Sequence, residues 1–299
     1  MRHIFATKHW TRFLELRLEV NILFGPHLKS NSLFRCASIF RYTALVFSFS
    51  ARLPVSEEER VWVDEGFRRL EKMLGRRRLL EAKVILPTPG YFPDSYDQNS
   101  AGAEAIFRRV CSYMRVDRSR IQLEIFPDET EELRSILPYW RGNSGGCAGF
   151  FSHDPTPESV PTADEARMLV ALRSTQLKDP LSLVATMAHE LGHVILLGGG
   201  LISPKTPDHE PLTDLLTVFL GFGVFTSSAA RRFKQFQDER HYGWSMHRLG
   251  YLPEEVYGYA LAKFADERNE EKASWATHLS TNVRAYFKRS QSWLAKNKF

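Results

Sequence analysis

His189, Glu190 and His193 stand in the order His-Glu-Leu-Gly-His, a spacing that has a defined chemistry when it lies on a helix. Histidines four residues apart leave the same helical face with Cβ atoms about 5–6 Å apart, so two imidazoles can share one metal ion. Glu190 is rotated by roughly 100° from His189. That turns it away from the ligand positions and leaves it within reach of a water on the metal, the place of a general base. Catalytic zinc usually takes three protein ligands and leaves a fourth position open, so two histidines are an incomplete set. The next acidic cluster is Asp208-His209-Glu210-Pro211-Leu212-Thr213-Asp214. Glu210 and Asp214 fall one turn apart on a common face. Glu210 can be the third ligand, and Asp214 can hold the second nitrogen of a ligand histidine, fixing its tautomer and orientation.

These side chains need two helices. Asp179 can accept from the free N–H groups of a first turn, and Pro180 falls where a missing N–H costs nothing. The run continues without a breaker to Gly198, Gly199 and Gly200, which offer a left-handed exit. Leu181, Val184, Met187, Leu191, Val194 and Ile195 cover much of the cylinder, so this is expected to be a central helix. Small residues, Ala185, Ala188 and Gly192, lie near the motif. Pro207 and Pro211 suit the approach to the second helix.

The pattern His189-Glu190-x-x-His193 followed by Glu210-x-x-x-Asp214 resembles the gluzincin branch of the zincin metallopeptidases. The resemblance covers the two motif helices and, more loosely, the strands before them; it does not extend to the first fifty residues. The segments GYLPEEVYGYALA and EPLTDLLTVFLG are similar to uncharacterised bacterial proteins of this type. It implies a zincin-like fold, one Zn2+ per chain, a peptide or protein substrate, and an edge strand above the metal that pairs with extended substrate, for which Cys147–Ser152 is the candidate. It also implies that His241, Tyr242 or His247 could steady an oxyanion, as downstream His or Tyr residues do in related peptidases; surface decoration is the plainer reading of all three. Where the family often has asparagine before the ligand glutamate, this chain has His209, so another choice of ligand at that corner stays open.

Composition is that of an ordinary globular protein, and 299 residues allow one large domain or two small ones. The net charge of +5 resides in residues 1–50, which hold seven Lys/Arg and two Glu; the remainder, with 33 of each sign, is neutral. The basic balance therefore gives no support to a nucleic-acid surface on the rest of the chain. No stretch reads as 18 uncharged apolar residues, so no membrane span is expected. Residues 1–52 are expected to be a basic, poorly ordered extension. Three cysteines, Cys36, Cys111 and Cys147, without a C-x-x-C pair, fit a reducing, cytoplasmic compartment and argue against a cysteine zinc site. A Cys147 nucleophile is the formal rival, but no motif ties a histidine to it.

Ser56 to Glu59 forms a capping box for a helix ending at Gly75. Lys83–Leu86 reads as a short strand ended by Pro87, and 100–114 as a helix. Strands are expected at 121–125, 148–151 and 167–172. Downstream, Leu215–Phe225, Pro253–Ala265 and Lys272–Lys296 read as helices. The expected class is α+β and zincin-like: a small mixed sheet packed on an active-site helix, then a mostly helical C-terminal part, within one domain over 53–299 divided near 178. The expected activity is zinc-dependent hydrolysis of peptide bonds. The rival from another class is a zinc-stabilised zincin-fold binding or regulatory protein, which a fourth protein ligand such as His209 would favour.

Overall fold

Ser56 starts the first helix in a computed structural model that describes residues 52–126, 149–152, 168–237 and 252–297. Its hydroxyl accepts from the Glu59 N–H at 3.2 Å while the Glu59 carboxylate accepts from the Ser56 N–H at 2.6 Å, closing both ends of a capping box. Helix α1 (Glu57–Leu74) follows and buries Val63, Phe67 and Leu70. A short α2 (Arg76–Leu80) comes next. Asn99 then caps α3 (Ser100–Met114), which buries Ile106, Phe107, Val110 and Met114 on one side.

Three strands form one mixed sheet in the order β1-β3-β2, where β1 is Ile121–Phe126, β2 is Gly149–Ser152 and β3 is Met168–Arg173. β1 runs parallel to β3 with Ile121 opposite Met168, and β2 runs antiparallel to β3 with Gly149 opposite Leu172. The central strand places Val170, Ala171 and Leu172 consecutively in the core, as expected of a strand covered on both faces. Among the described residues β2 is an edge.

A 3-10 turn (Ser174–Lys178) leads from β3 into α4 (Pro180–His193). Asp179 caps α4 by accepting from the Ser182 N–H at 3.4 Å, its other oxygen accepts from the Ser182 hydroxyl at 2.8 Å, and Pro180 lies in the first turn. From Leu183 onward every residue of α4 is buried. It is covered by α3, α5 (His209–Phe219), α6 (Gly223–Gln237), β2 and β3. By length and composition Pro180–Gly198 could cross a membrane, but it is mostly buried and is the central helix of this unit. α7 (Glu254–Glu267) and α8 (Thr281–Lys296) pack on each other at the C-terminal end. The class is α+β, mostly helical.

Four local expectations need correction. Lys83–Leu86 joins no strand: the Ile85 N–H donates to the Gly221 carbonyl at 2.9 Å, so the segment runs against the α5–α6 turn instead of the sheet. Leu215–Phe225 is not one helix, because Gly221 takes φ +90 and a Cβ there would lie 2.0 Å from the Lys83 carbonyl oxygen. The single helix expected over Lys272–Lys296 is a 3-10 turn (Ser274–His278) followed by α8. After His193 the chain widens into a π turn (Val194–Gly198), and of the three glycines only Gly200, at φ +65, takes the left-handed conformation. The expected extension over residues 1–51 lies outside the described residues.

Candidate metal centre

α4 and α5 bring the motif residues together. His189, Glu190 and His193 are 6%, 4% and 7% exposed, and Asp214 is 1% exposed. The close approach of the two helices depends on Gly192, where a Cβ would come within 2.7 Å of the Thr213 methyl group. His189 Nε2 lies 3.2 Å from Glu210 Oε2, and His193 Nε2 lies 3.3 Å from the same oxygen. Ligand atoms held about 2.0–2.2 Å from a tetrahedral zinc are themselves roughly 3.3 Å apart. All three donor atoms lie within 4.8 Å of one another.

The other nitrogen of each ring is already committed. His189 Nδ1 lies 2.8 Å from Asp214 Oδ1, whose second oxygen accepts from the Leu252 N–H at 2.9 Å. His193 Nδ1 lies 3.3 Å from the Thr213 hydroxyl oxygen, and that hydroxyl spends its hydrogen on the His209 carbonyl at 2.8 Å. Thr213 must therefore accept from His193 Nδ1–H. Both rings are thus set with Nδ1 as donor and Nε2 facing Glu210, a nitrogen that carries a lone pair when the ring is neutral and a proton when it is charged. Two lone pairs and a carboxylate oxygen converging at hydrogen-bond distance require a proton or a metal cation among them.

Charge points the same way. Among the described residues no lysine or arginine pairs with Glu190, Glu210 or Asp214. Burial pushes His189 down, but the Asp214 and Glu210 carboxylates outweigh it and hold its pKa well above the ordinary value. His193 is lowered, chiefly by burial. Burial would raise Glu210, yet hydrogen bonds from His189, His193 and His209 outweigh it and keep its carboxyl well below the usual range. The Glu190 carboxyl makes no hydrogen bond among the described residues, and desolvation pushes its pKa up to about 8, against the weaker opposing effect of His189. A buried corner with three carboxylates and two Nε2 lone pairs fits a divalent cation with nitrogen and oxygen ligands.

His209 stands apart from the three-donor group. Its Nδ1 donates to the Thr206 carbonyl at 3.0 Å, and its Nε2 lies 3.2 Å from Glu210 Oε1, the oxygen turned away from the other imidazoles. Glu210 keeps 39% of its side-chain surface exposed, so the corner is open on that side. His241, Tyr242 and His247 lie outside the described residues, as does Cys147; the candidate edge strand is described as β2 over Gly149–Ser152. Thr213 and the Leu252 N–H escape the sequence reading. Thr213 had a signal, since it stands three residues after Glu210 and shares a face with it and with Asp214. Leu252 had none, because its contribution is a backbone N–H.

No family model, no curated protein and no solved structure matches this chain.

Proposed function

We propose that this protein is a zinc-dependent metallopeptidase of the zincin type, with the gluzincin ligand set His189, His193 and Glu210. The observation that carries the proposal is the convergence of two Nε2 atoms, each with its Nδ1 committed elsewhere, on one Glu210 oxygen. When bound, zinc supplies a Lewis acid that polarises a carbonyl and makes nearby water easier to deprotonate. Glu190 takes the proton of the attacking water and passes it to the leaving nitrogen, a role commonly worth about 10²–10⁴ in rate. Its burial and raised pKa suit a base that must hold a proton between the two steps. Asp214 and Thr213 keep the two rings in the metal-binding tautomer. β2 is an edge among the described residues, the kind of strand with which an extended peptide substrate can pair.

The rival reading, a zinc-stabilised binding or regulatory protein, needs a fourth protein ligand. The position of His209 against Glu210 Oε1, outside the three-donor group, favours an open fourth position instead. The test is incubation of the purified full chain with a mixed peptide library, with and without a chelator, alongside Glu190→Gln. Cleavage is expected to stop with chelator, to return with added zinc, and to be lost in Glu190→Gln while stoichiometric zinc is retained. Undiminished cleavage by Glu190→Gln would reject the base assignment. A wild-type chain that takes up no zinc would reject the site.

A further inference from the structure

Helix α5 has two working faces. Glu210, Thr213 and Asp214 turn toward α4 and the imidazoles. Asp208, Leu212 and Leu215 recur at the spacing of the opposite face, and that face meets α1. Three residues of α1 at the matching spacing receive it. Gly66 admits Leu215, whose Cδ2 would lie 2.3 Å from a Cβ placed there. On either side, Trp62 and Arg69 reach Asp208: Arg69 Nη1 donates to Asp208 Oδ2 at 2.6 Å, and Trp62 Nε1 donates to the same oxygen at 3.2 Å.

Asp208 occupies the N-cap position of α5, yet its side chain makes no capping hydrogen bond. An N-cap aspartate ordinarily accepts from the free N–H groups of its own first turn. Here the carboxylate is turned outward to α1. Glu210 stands two residues further on, inside that first turn, where helices fray most readily; the His209 N–H there donates to the Thr206 carbonyl at 3.2 Å, and Pro211 has no N–H for a cap to hold. A metal ligand on an uncapped first turn needs to be held from outside the helix, and the only charge-assisted hold on Asp208 among the described residues is Arg69.

We propose that Arg69 and Trp62 are positioning residues for Glu210, fixing the first turn of α5 through Asp208 so that Glu210 Oε2 meets both imidazoles. The inference rests on the metal-site reading above and extends the site to α1, which supplies none of the three donor atoms. Residues that orient metal ligands typically change affinity by about 10–100-fold when removed, and the lower part of that range applies to a hold one step further back.

The test is zinc competition titration of the full chain, together with the visible absorption of the cobalt-substituted protein, which reports coordination geometry. In Arg69→Met the zinc dissociation constant is expected to rise about tenfold and the cobalt bands to shift. Arg69→Lys, which keeps one charged hydrogen bond, is expected to recover most of the affinity. Trp62→Phe removes only the indole N–H donor and is expected to give a smaller rise, providing a milder variant should Arg69→Met fold poorly. Arg268→Met is the control: Arg268 donates to the Leu79, Leu80 and Ala82 carbonyls away from the metal corner, so its loss costs stability without moving the zinc constant. Zinc affinity and cobalt bands unchanged in Arg69→Met and Trp62→Phe, or shifted equally in Arg268→Met, would overturn the inference while leaving the metal site intact. A wild-type chain that binds neither ion would overturn the metal-site reading and this inference with it.

Discussion

Carboxylates on the α2–α3 side of the molecule and carboxylates at the α4–α5 corner are neutralised by different means. Near α2 and α3, Glu81 lies 2.5 Å from Arg77 and 3.0 Å from Arg115, Glu104 lies 2.8 Å from Arg118, and Asp94 is held by Arg109. Those pairs are half-exposed and contribute little each, since water screens them and long side chains lose freedom. Among the described residues, Asp214 and Glu210 at the α4–α5 corner meet imidazoles and a backbone N–H, and none of Glu190, Glu210 and Asp214 has an arginine or lysine partner. Arginine gives permanent charge and asks nothing further. An imidazole can give up its proton, so the same acids can exchange protons for a metal. The difference teaches where to look for chemistry in this chain: among buried acids without arginine.

The comparison can be broken most forcefully by removing the cation. At a free zinc concentration of a thousand times the dissociation constant, the folded protein is expected to gain about 4 kcal/mol over the stripped form. His193→Ala should show no such gain by scanning calorimetry, whereas stripping metal from Arg109→Ala should cost as much as in the wild type. The next effect concerns Glu190 in the metal-free chain. Its pKa is raised from 4.5 to about 8, so the folded state holds a proton that the unfolded state has released between those values. The contribution of Glu190 to stability is therefore fully present below about pH 4.5 and is lost as pH rises through about 8. Glu190→Gln lacks this loss and should exceed the stripped wild type by a few kcal/mol, to order of magnitude, at pH 8 and above. Denaturant titrations across pH that run parallel for the two proteins would remove the buried-acid account.

Smaller effects sharpen the contrast. Asp214→Asn and Thr213→Val each leave the three donor atoms in place but release one Nδ1, and each is expected to weaken zinc binding by about 10–100-fold in a competition titration. The smallest change is expected from Arg109→Ala, less than about 1 kcal/mol by denaturant titration and diminishing with added salt. A larger cost there would show that the α2–α3 pairs are not the weak surface contacts their exposure implies.

The parts of the fold that were legible are those decided by neighbours in the chain. The Ser56 capping box, the Asp179-Pro180 start of α4, the 100–114 helix and the strand from Ile121 depend on residues a few positions apart. The site was legible to the same extent: Glu210 and Asp214 could be singled out because one helical turn separates them. Contacts across the chain were not. Lys83–Leu86 has strand composition, but its partner is Gly221, and no local pattern announces that. The break between α5 and α6 did have a signal, a glycine within the apolar run, although the need for φ +90 comes from the carbonyl of Lys83. Asp208 looks like a cap and is turned to Arg69 instead; only the packed helices decide between the two.

Asp214 has a second bond that reaches beyond the metal corner. Its Oδ2 accepts from the Leu252 N–H, just ahead of α7, while Oδ1 holds His189. A ribosome releases that N–H long after both imidazoles and Glu210 have emerged. A chain truncated before residue 252 would hold every donor atom and still leave half of the Asp214 carboxylate loose, so the corner is completed only when Leu252 arrives.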